Sequence, residues 1–301
     1  MGHSRNGFKS DARQGKHLKP AISVVMPAFG AAPFIAEGVW SVLAQTYPEW
    51  LLFIVSDDGM DYEAFLAGAG IADPRLRFMS SGVIGGGASR ARNLALDILE
   101  TPYAAILDAD DRLKPEKLAR VAAALEDFPI VTTALEVMDD SYRHLRHVGH
   151  GPDQALGPAE HKFVSLSMDS MVAWDRRRCD ARYDLELTNM TDLEFLMQLY
   201  RTAGQSFHLG TPLHDYVKVS TSMSNGPGFS EKMIRSKQTL LARLAEGRYP
   251  MADPSGPAGI ARFLELSLEA EQTYPAALAA NPALLFEDHL EPLLRANVAG
   301  K

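Results

Sequence analysis

Short apolar runs alternate with helically spaced ones through the first half of the chain. "AISVVMPAF" (21–29) is apolar and β-branched, which predicts a buried strand stopped by Pro27. "APFIAEGVWSVLAQT" (32–46) carries apolar positions at helical spacing, and "WLLFIVSDDG" (50–59) predicts a second strand. A helix over 61–70, a short strand over 75–81 and a helix over 88–100, opened by the glycines before it, follow. "YAAILDAD" (103–110) predicts a fourth strand, "PEKLARVAAALEDF" (115–128) a helix with Pro115 at its first position, and "PIVTTALEVMD" (129–139) another strand. Strand and helix in alternation predict a mainly parallel α/β sheet with helices on both faces.

The second half is less regular. Residues 146–161 are rich in Gly, Pro and His and predict a loop, and 161–179 hold one more strand ahead of Arg176-Arg177-Arg178. "MTDLEFLMQLYRTAG" (190–204) is an amphipathic helix closed by Gly204. From about Phe229 the pattern is helical, interrupted by "PMADPSGPAG" (250–259), a linker composition. The expected organisation is a polar tail over 1–20, an α/β domain over 21–228 (halves 21–128 and 129–228) and a helical extension over 229–301.

Composition removes several function classes. The chain has 301 residues, 46% of them apolar, which is enough for one large domain with a sizeable core. Its net charge of −8 argues against bulk nucleic-acid binding, because neutralising phosphates needs a basic face. A single cysteine, Cys179, excludes a disulfide scaffold and a cysteine-based zinc site, and reads as a spare thiol. No run approaches the ~20 apolar residues of a membrane span, and the N-terminus lacks an apolar signal core, so a cytoplasmic location is expected.

The chemistry concentrates where the apolar strands end. Asp108, Asp110 and Asp111 close the fourth strand. Carboxylates this close repel one another and lose hydration in a cleft, and a bridging Mg²⁺ or Mn²⁺ would remove both costs. Three strand ends carry suggestive residues: Pro27-Ala28-Phe29, Asp57-Asp58-Gly59 and Asp108-Ala109-Asp110. Ligands of such sheets bind at the carboxyl ends of the strands, so the three would form one site.

"ISVVMPAFGAAPFIAEGVWSVLAQTYPEWLLFIVSDDG" and "GGGASRARNLALDILETPYAAILDADDRLKP" together resemble the donor-binding half of family 2 glycosyltransferases. The resemblance runs over about 21–128 and continues more weakly to about 225. It implies a GT-A fold, a nucleotide-sugar donor (UDP by family prevalence), a divalent metal and an inverting reaction. It puts Pro27, Ala28 and Phe29 at the nucleotide, Phe29 beside the base, Asp58 paired with the base and Asp57 next to it. Arg92 of "ARN" falls near the donor, Asp108 and Asp110 form the DxD motif, and Asp110 is the expected metal ligand, assisted by Asp111. Asp192 matches the catalytic base, with Thr191 where the family has Glu; without the family pattern, an acid at a helix N-terminus would suffice. Met60 replaces the usual Ser after "DDG", and Val217 and Val219 replace the Arg and His of Tyr-Arg-x-His, leaving His214 or His208 as substitute ligands. Met168, Asp169 and Met171 fall on the acceptor side. Trp174 could stack on a sugar or belong to the core, and the arginine triplet could bind phosphate or be a solvated turn. The motif of processive members is absent after Asp192, which implies single-sugar transfer.

The expected partners are therefore a nucleotide-sugar and a saccharide or lipid-linked acceptor, in surface polysaccharide or glycolipid assembly. Self-association through the C-terminal helices and peripheral membrane association, at the inner face, stay open. Three rivals stay open as well: a haloacid-dehalogenase-like phosphatase using "AILDADDRL", a dinucleotide-dependent oxidoreductase suggested by Gly85-Gly86-Gly87, and a sugar-nucleotide-binding protein with a decayed site. The glycine triplet itself reads as a flexible loop ahead of a helix.

Overall fold

The computed structural model describes residues 21–166, 169–218 and 229–299. The first half alternates as expected: β1 (Ile22–Ala28), α1 (Ile35–Leu43), β2 (Trp50–Ser56), α2 (Tyr62–Gly68), β3 (Leu76–Ser80), α3 (Ala88–Leu96), β4 (Tyr103–Ile106), β5 (Arg112–Leu113), α4 (Lys117–Asp127) and β6 (Ile130–Asp139). Then come β7 (His144–Val148), β8 (Gln154–Leu156), α5 (Pro158–Val164), a 3-10 turn (Asp169–Met171), β9 (Val172–Asp175), α6 (Thr191–Leu199) and β10 (Ser206–Lys218). Helices α7 (Phe229–Ala245), α8 (Gly256–Ala280) and α9 (Phe286–Ala299) follow.

The main sheet runs β3-β2-β1-β4-β9-β6-β10-β5, with β7 on β6 and β8 on β10. Strands β1 to β4 are parallel. β9 is antiparallel to both β4 and β6, which brings the carboxyl end of β6 to the same rim as those of β1, β2 and β4. Along β1 alternate residues bury on opposite faces. Ile22, Val24 and Met26 join the layer under α1 and α4, while Val25 joins the layer with α3 and α6.

Three expectations need correcting. Pro27 does not stop β1, which continues to Ala28. The Val25 carbonyl accepts from Leu107, so Pro27, two residues on, faces the same side beyond the end of β4 and forfeits no ladder bond. Pro115 precedes α4, which begins at Lys117. The stretch expected as a loop over 146–161 contributes to β7 and α5 and contains β8, because hydrogen bonds to β6 and β10 outweigh its turn-rich composition.

The C-terminal helices share a core with the sheet domain. Leu187, Leu193 and Met197 pack with Leu240, Ile260, Phe263, Leu264 and Leu290. A buried Lys237–Glu271 pair at 2.7 Å and ion pairs from Arg146 to Asp288 and Glu291 secure them. No helix among the described residues is long and apolar enough to cross a membrane.

Candidate active site

The rim at the ends of β1 and β2 is built by hydrogen bonds to two aspartates. Asp58 Oδ2 accepts from the Gly30 N–H at 2.7 Å and the Tyr62 hydroxyl at 2.8 Å, and its Oδ1 accepts from the Met60 N–H at 3.0 Å and the Ser56 hydroxyl at 3.2 Å. Partial burial pushes this carboxyl up, but the donors outweigh it and hold it below the usual range. Asp57 is 2% exposed and does not face the cleft. Its Oδ1 and Oδ2 accept from the Gly86 and Gly87 N–H groups at 3.1 and 2.8 Å. Gly85 and Gly87 adopt φ of +72° and +93° to allow this, so the glycine triplet is pinned rather than loose. Phe29 is 64% exposed and lies beside Gly85, while Ile84, 76% exposed, lies beside Gly59. Both leave apolar faces unfilled at the mouth of the rim. A cavity of about 250 Å³ opens nearby between Ser56, Gly59, Tyr62 and Phe78.

The end of β4 is different. Asp108 Oδ1 takes Arg92 at 2.5 Å, and its N–H donates to the Ser170 hydroxyl at 3.1 Å. Asp110 is half-buried, and desolvation followed by the Asp108 charge pushes its carboxyl up to about 6. Asp111 turns inward: it is 1% exposed, its Oδ1 accepts from the Val217 N–H at 3.2 Å, and its buried Oδ2 has no partner. Burial first, then Asp110 and Asp108, push its carboxyl well up, so it supports the turn from beneath the rim. Gly38 of α1 sets how close that turn can come, since a Cβ there would lie 3.1 Å from the Asp111 carbonyl and 3.2 Å from that of Ala109. A rim of hard oxygen donors with partly unsatisfied like charges fits a divalent cation of the Mg²⁺/Mn²⁺ class.

Arg92, 4% exposed, links this rim to the segment ahead of β9. Its other nitrogen meets Asp169 Oδ2 at 2.7 Å, and its guanidinium lies over the Tyr183 ring at 5.0 Å. Tyr183 donates to Asp169 Oδ1 at 2.7 Å, and Asn93 fixes Tyr183 through its backbone N–H and carbonyl. Both oxygens of Asp169 are thus engaged, Oδ2 by Arg92 and Oδ1 by Tyr183. Asp192 sits in the first turn of α6, half-buried beside the charges of Lys162 and Arg92. Desolvation raises its carboxyl despite those two cations. Met190, just before it, holds a left-handed φ of 58°, strain that is characteristic of functional sites. Lys162 also contacts the Phe263 ring of α8 at 5.0 Å, so the C-terminal helices help build the surroundings of Asp192. Thr191 is half-exposed next to it.

Several expected residues lie elsewhere. Trp174 is fully buried, edge-on to Phe195 with ring centroids 5.0 Å apart, so it has no face free for a sugar and serves the core. Arg176 donates to the Leu96 and Leu99 carbonyls where α3 ends, Arg177 pairs with Asp175, and Arg178 donates to the Asp127 carbonyl at the end of α4. Arg176 and Arg178 therefore hold helix ends near the start of β4, opposite the rim, and Arg177 closes back on the end of β9. His208 spends both ring nitrogens on Thr132 and Gly149, and His214 is buried with Nδ1 3.2 Å from Lys117 Nζ and Nε2 without a partner. Cys179 is buried and its thiol is pushed up to about 12, first by desolvation, which keeps it inert. Met171 is buried, and Met168 and Val219 lie outside the described residues. Sequence reasoning missed Gly38, Tyr62, Asn93, Lys162, Ser170 and Tyr183. Only Asn93, inside "ARN", carried a visible signal.

A mainly parallel sheet with helices on both faces and its acidic residues at the carboxyl ends of the strands is the arrangement of a GT-A fold. The sequence profile "Glycosyl transferase family 2" matches residues 23–201, and the chain belongs to that family. It is 34% identical over 90 residues to the E. coli UDP-Glc:alpha-D-GlcNAc-diphosphoundecaprenol beta-1,3-glucosyltransferase WfgD, a stretch covering 30% of this chain and 35% of that protein. Such curated relatives align over only about 12 to 40% of their own length. Among solved structures, S. aureus TarS 1-349 with UDP-GlcNAc matches at TM-score 0.63 and 17% identity, covering 91% of this chain and 78% of that one. The Pyrobaculum calidifontis mannosyltransferase PcManGT, with GDP-Man and Mn²⁺, matches at 0.56 and 17%, covering 94% and 80%. Family membership closes the phosphatase and oxidoreductase readings.

Proposed function

We propose that this protein is an inverting, metal-dependent glycosyltransferase. It moves one sugar from a UDP-sugar to a hydroxyl of a saccharide or lipid-linked acceptor, in surface polysaccharide or glycolipid assembly. The observation that carries the reading is the pairing of an under-satisfied Asp108/Asp110 rim with Asp192, a carboxylate of raised basicity, across a clamped Arg92.

Each role follows from the local physics. Phe29 and Ile84 offer apolar faces for the base, and Asp58 holds the loop on which Phe29 stands. Asp110, with Asp108, would hold Mn²⁺ or Mg²⁺, which as a Lewis acid neutralises the departing diphosphate. Arg92, fixed from both sides, keeps a positive charge beside the leaving group without reorganising. Asp192 accepts the proton of the acceptor hydroxyl as that oxygen attacks the anomeric carbon and the sugar–phosphate bond breaks. Its raised pKa makes it a better base at neutral pH. The WfgD donor and lipid-diphosphate acceptor and the TarS donor support the substrate classes, and PcManGT supports the metal.

Calorimetric titration with a panel of nucleotide-sugars, in Mn²⁺ and then in chelator, tests the reading. Metal-dependent binding of one donor, followed by turnover with a lipid-linked or saccharide acceptor, is expected. Binding without any turnover would favour the decayed site that Thr191 and Val217 keep in view, and no donor binding by folded protein would overturn the proposal.

A further inference from the structure

The hairpin of β6 and β7 gathers a second set of metal-type ligands, none of them in the rim just described. Glu136, His144 and His147 each offer one ligand atom, and the three atoms lie within 4.8 Å of one another. His144 and His147 are three apart in a strand, which simple alternation would send to opposite faces. A bulge brings them together. Arg146 pairs with Val137 and His144 with Met138, so Leu145 is an extra residue and both imidazoles emerge on the side of Glu136. Glu136 stands directly across from His147 in the ladder. Two imidazoles and one carboxylate are a donor set of the zinc type.

The surroundings agree. His144 Nδ1 is 2.9 Å from Glu136 Oε1, close to the ~3.3 Å edge of a tetrahedron of ligands around zinc. The ring centroids of His144 and His147 are 4.6 Å apart, and His150 stands next to His147 at 5.3 Å. Lys114 holds the other Glu136 oxygen at 3.0 Å and Asp215 at 2.6 Å. Asp215 therefore balances the Lys114 charge, and Lys114 fixes the orientation of the carboxylate, as an outer partner of a metal ligand does. His144 and His147 are exposed, so an ion can enter without rearrangement of the core.

We propose that Glu136, His144 and His147 bind one divalent ion of the zinc class, clamping β7 to β6, separately from the Asp108/Asp110 rim. Bound there, the ion would steady the hairpin whose Tyr142 donates to Asp215 and lies under the Arg112 guanidinium, one residue beyond the acidic turn.

The test is Zn²⁺ titration of the full chain by calorimetry with Mg²⁺ in large excess, repeated on Asp110→Asn and on a His144→Ala/His147→Ala double variant. Wild type and Asp110→Asn should each bind one Zn²⁺, and the double variant should bind at least roughly tenfold more weakly. Glu136→Gln, which keeps the shape of the side chain, should fall in between. Zinc should raise the Tm of wild type but not of the double variant. Unchanged affinity in the double variant, or no zinc binding by wild type, overturns the proposal, and neither result touches the reading of the catalytic rim.

Discussion

Two pairs of adjacent aspartates, Asp57-Asp58 at the end of β2 and Asp110-Asp111 beyond β4, look alike in sequence and are built in opposite ways. At β2 both carboxylates are filled: Asp58 takes four donors and Asp57 takes the backbone of the glycine turn. These are anchors, and their negative charge is already satisfied by the fold. Beyond β4, Asp111 has a buried oxygen with no partner, and Asp110 is pushed up to about 6 by desolvation and by Asp108. Here the fold holds charges in an unfavourable setting that a ligand of opposite sign would relieve. The difference separates carboxylates that shape a site from carboxylates that wait for something to bind.

The largest effects should come from the waiting side. Asp110→Asn removes the expected cation ligand, and losing Lewis-acid assistance worth several kcal/mol should lower turnover by ~10³-fold or more. Steady-state rates over a Mn²⁺ series check this, and near wild-type turnover would remove Asp110 from the site. Asp192→Asn should come next, with transfer reduced ~10²- to 10⁴-fold while donor affinity stays within a factor of about two. If the donor dissociation constant worsens as much as the rate, Asp192 is a binding group and not the base.

The strands whose ends carry this contrast were legible in the sequence, and the surroundings of Arg92 were not. β1, β2 and β4 announce themselves as apolar runs, and Asp58, Arg92, Asp108 and Asp110 follow one another at family spacing. What pattern could not distinguish was the state of each carboxylate. Asp57 and Asp58 differ by one position, and alternation in the chain sends one to the glycine loop and the other to Gly30 and Tyr62. Asp111 reads as a ligand but turns inward because its N–H closes a turn onto the Asp108 carbonyl. On the other side, Tyr183 and Asp169 meet Arg92 only through the antiparallel insertion of β9, a long-range event with no local signature. Trp174 and the arginine triplet misled for the same reason. Their type suggested a ligand, and only their depth or their distance from the rim assigned them to the core and to helix ends.

On the anchoring side, Asp58→Ala should act on stability and donor affinity together. It strands the Gly30 and Met60 N–H groups and the Tyr62 hydroxyl, so a loss of ~1–3 kcal/mol is expected in urea unfolding. Nucleotide binding should weaken about tenfold as the Phe29 loop loosens, a factor of ten being ~1.4 kcal/mol. An unchanged dissociation constant would count against any link between Asp58 and the base.

The smallest effect is the sharpest, because its sign reverses between the two pairs. Desolvation and the Asp108 charge push the Asp110 carboxyl up to about 6, from an ordinary value of 3.8. A carboxyl raised in this way favours the folded state when protonated, so its contribution is full below pH ~3.8 and is lost as pH rises through ~6. At pH 7 without metal, ionised Asp110 is a liability, and Asp110→Asn should stabilise the apo protein by ~1–2 kcal/mol, less than the full shift implies because the group is half-exposed to screening water. The gain should vanish below pH ~4, and saturating Mn²⁺ should cancel it by stabilising only the wild type. Asp58 lies below its usual value, so its contribution runs the other way: present at neutral pH and lost as pH falls through that depressed value. Thermal melts of both variants at pH 7, pH 4 and about pH 2.5, with and without Mn²⁺, read all of this. If Asp110→Asn and Asp58→Ala lose stability alike in metal-free buffer at pH 7, the two pairs are the same kind of carboxylate and the distinction drawn between them fails.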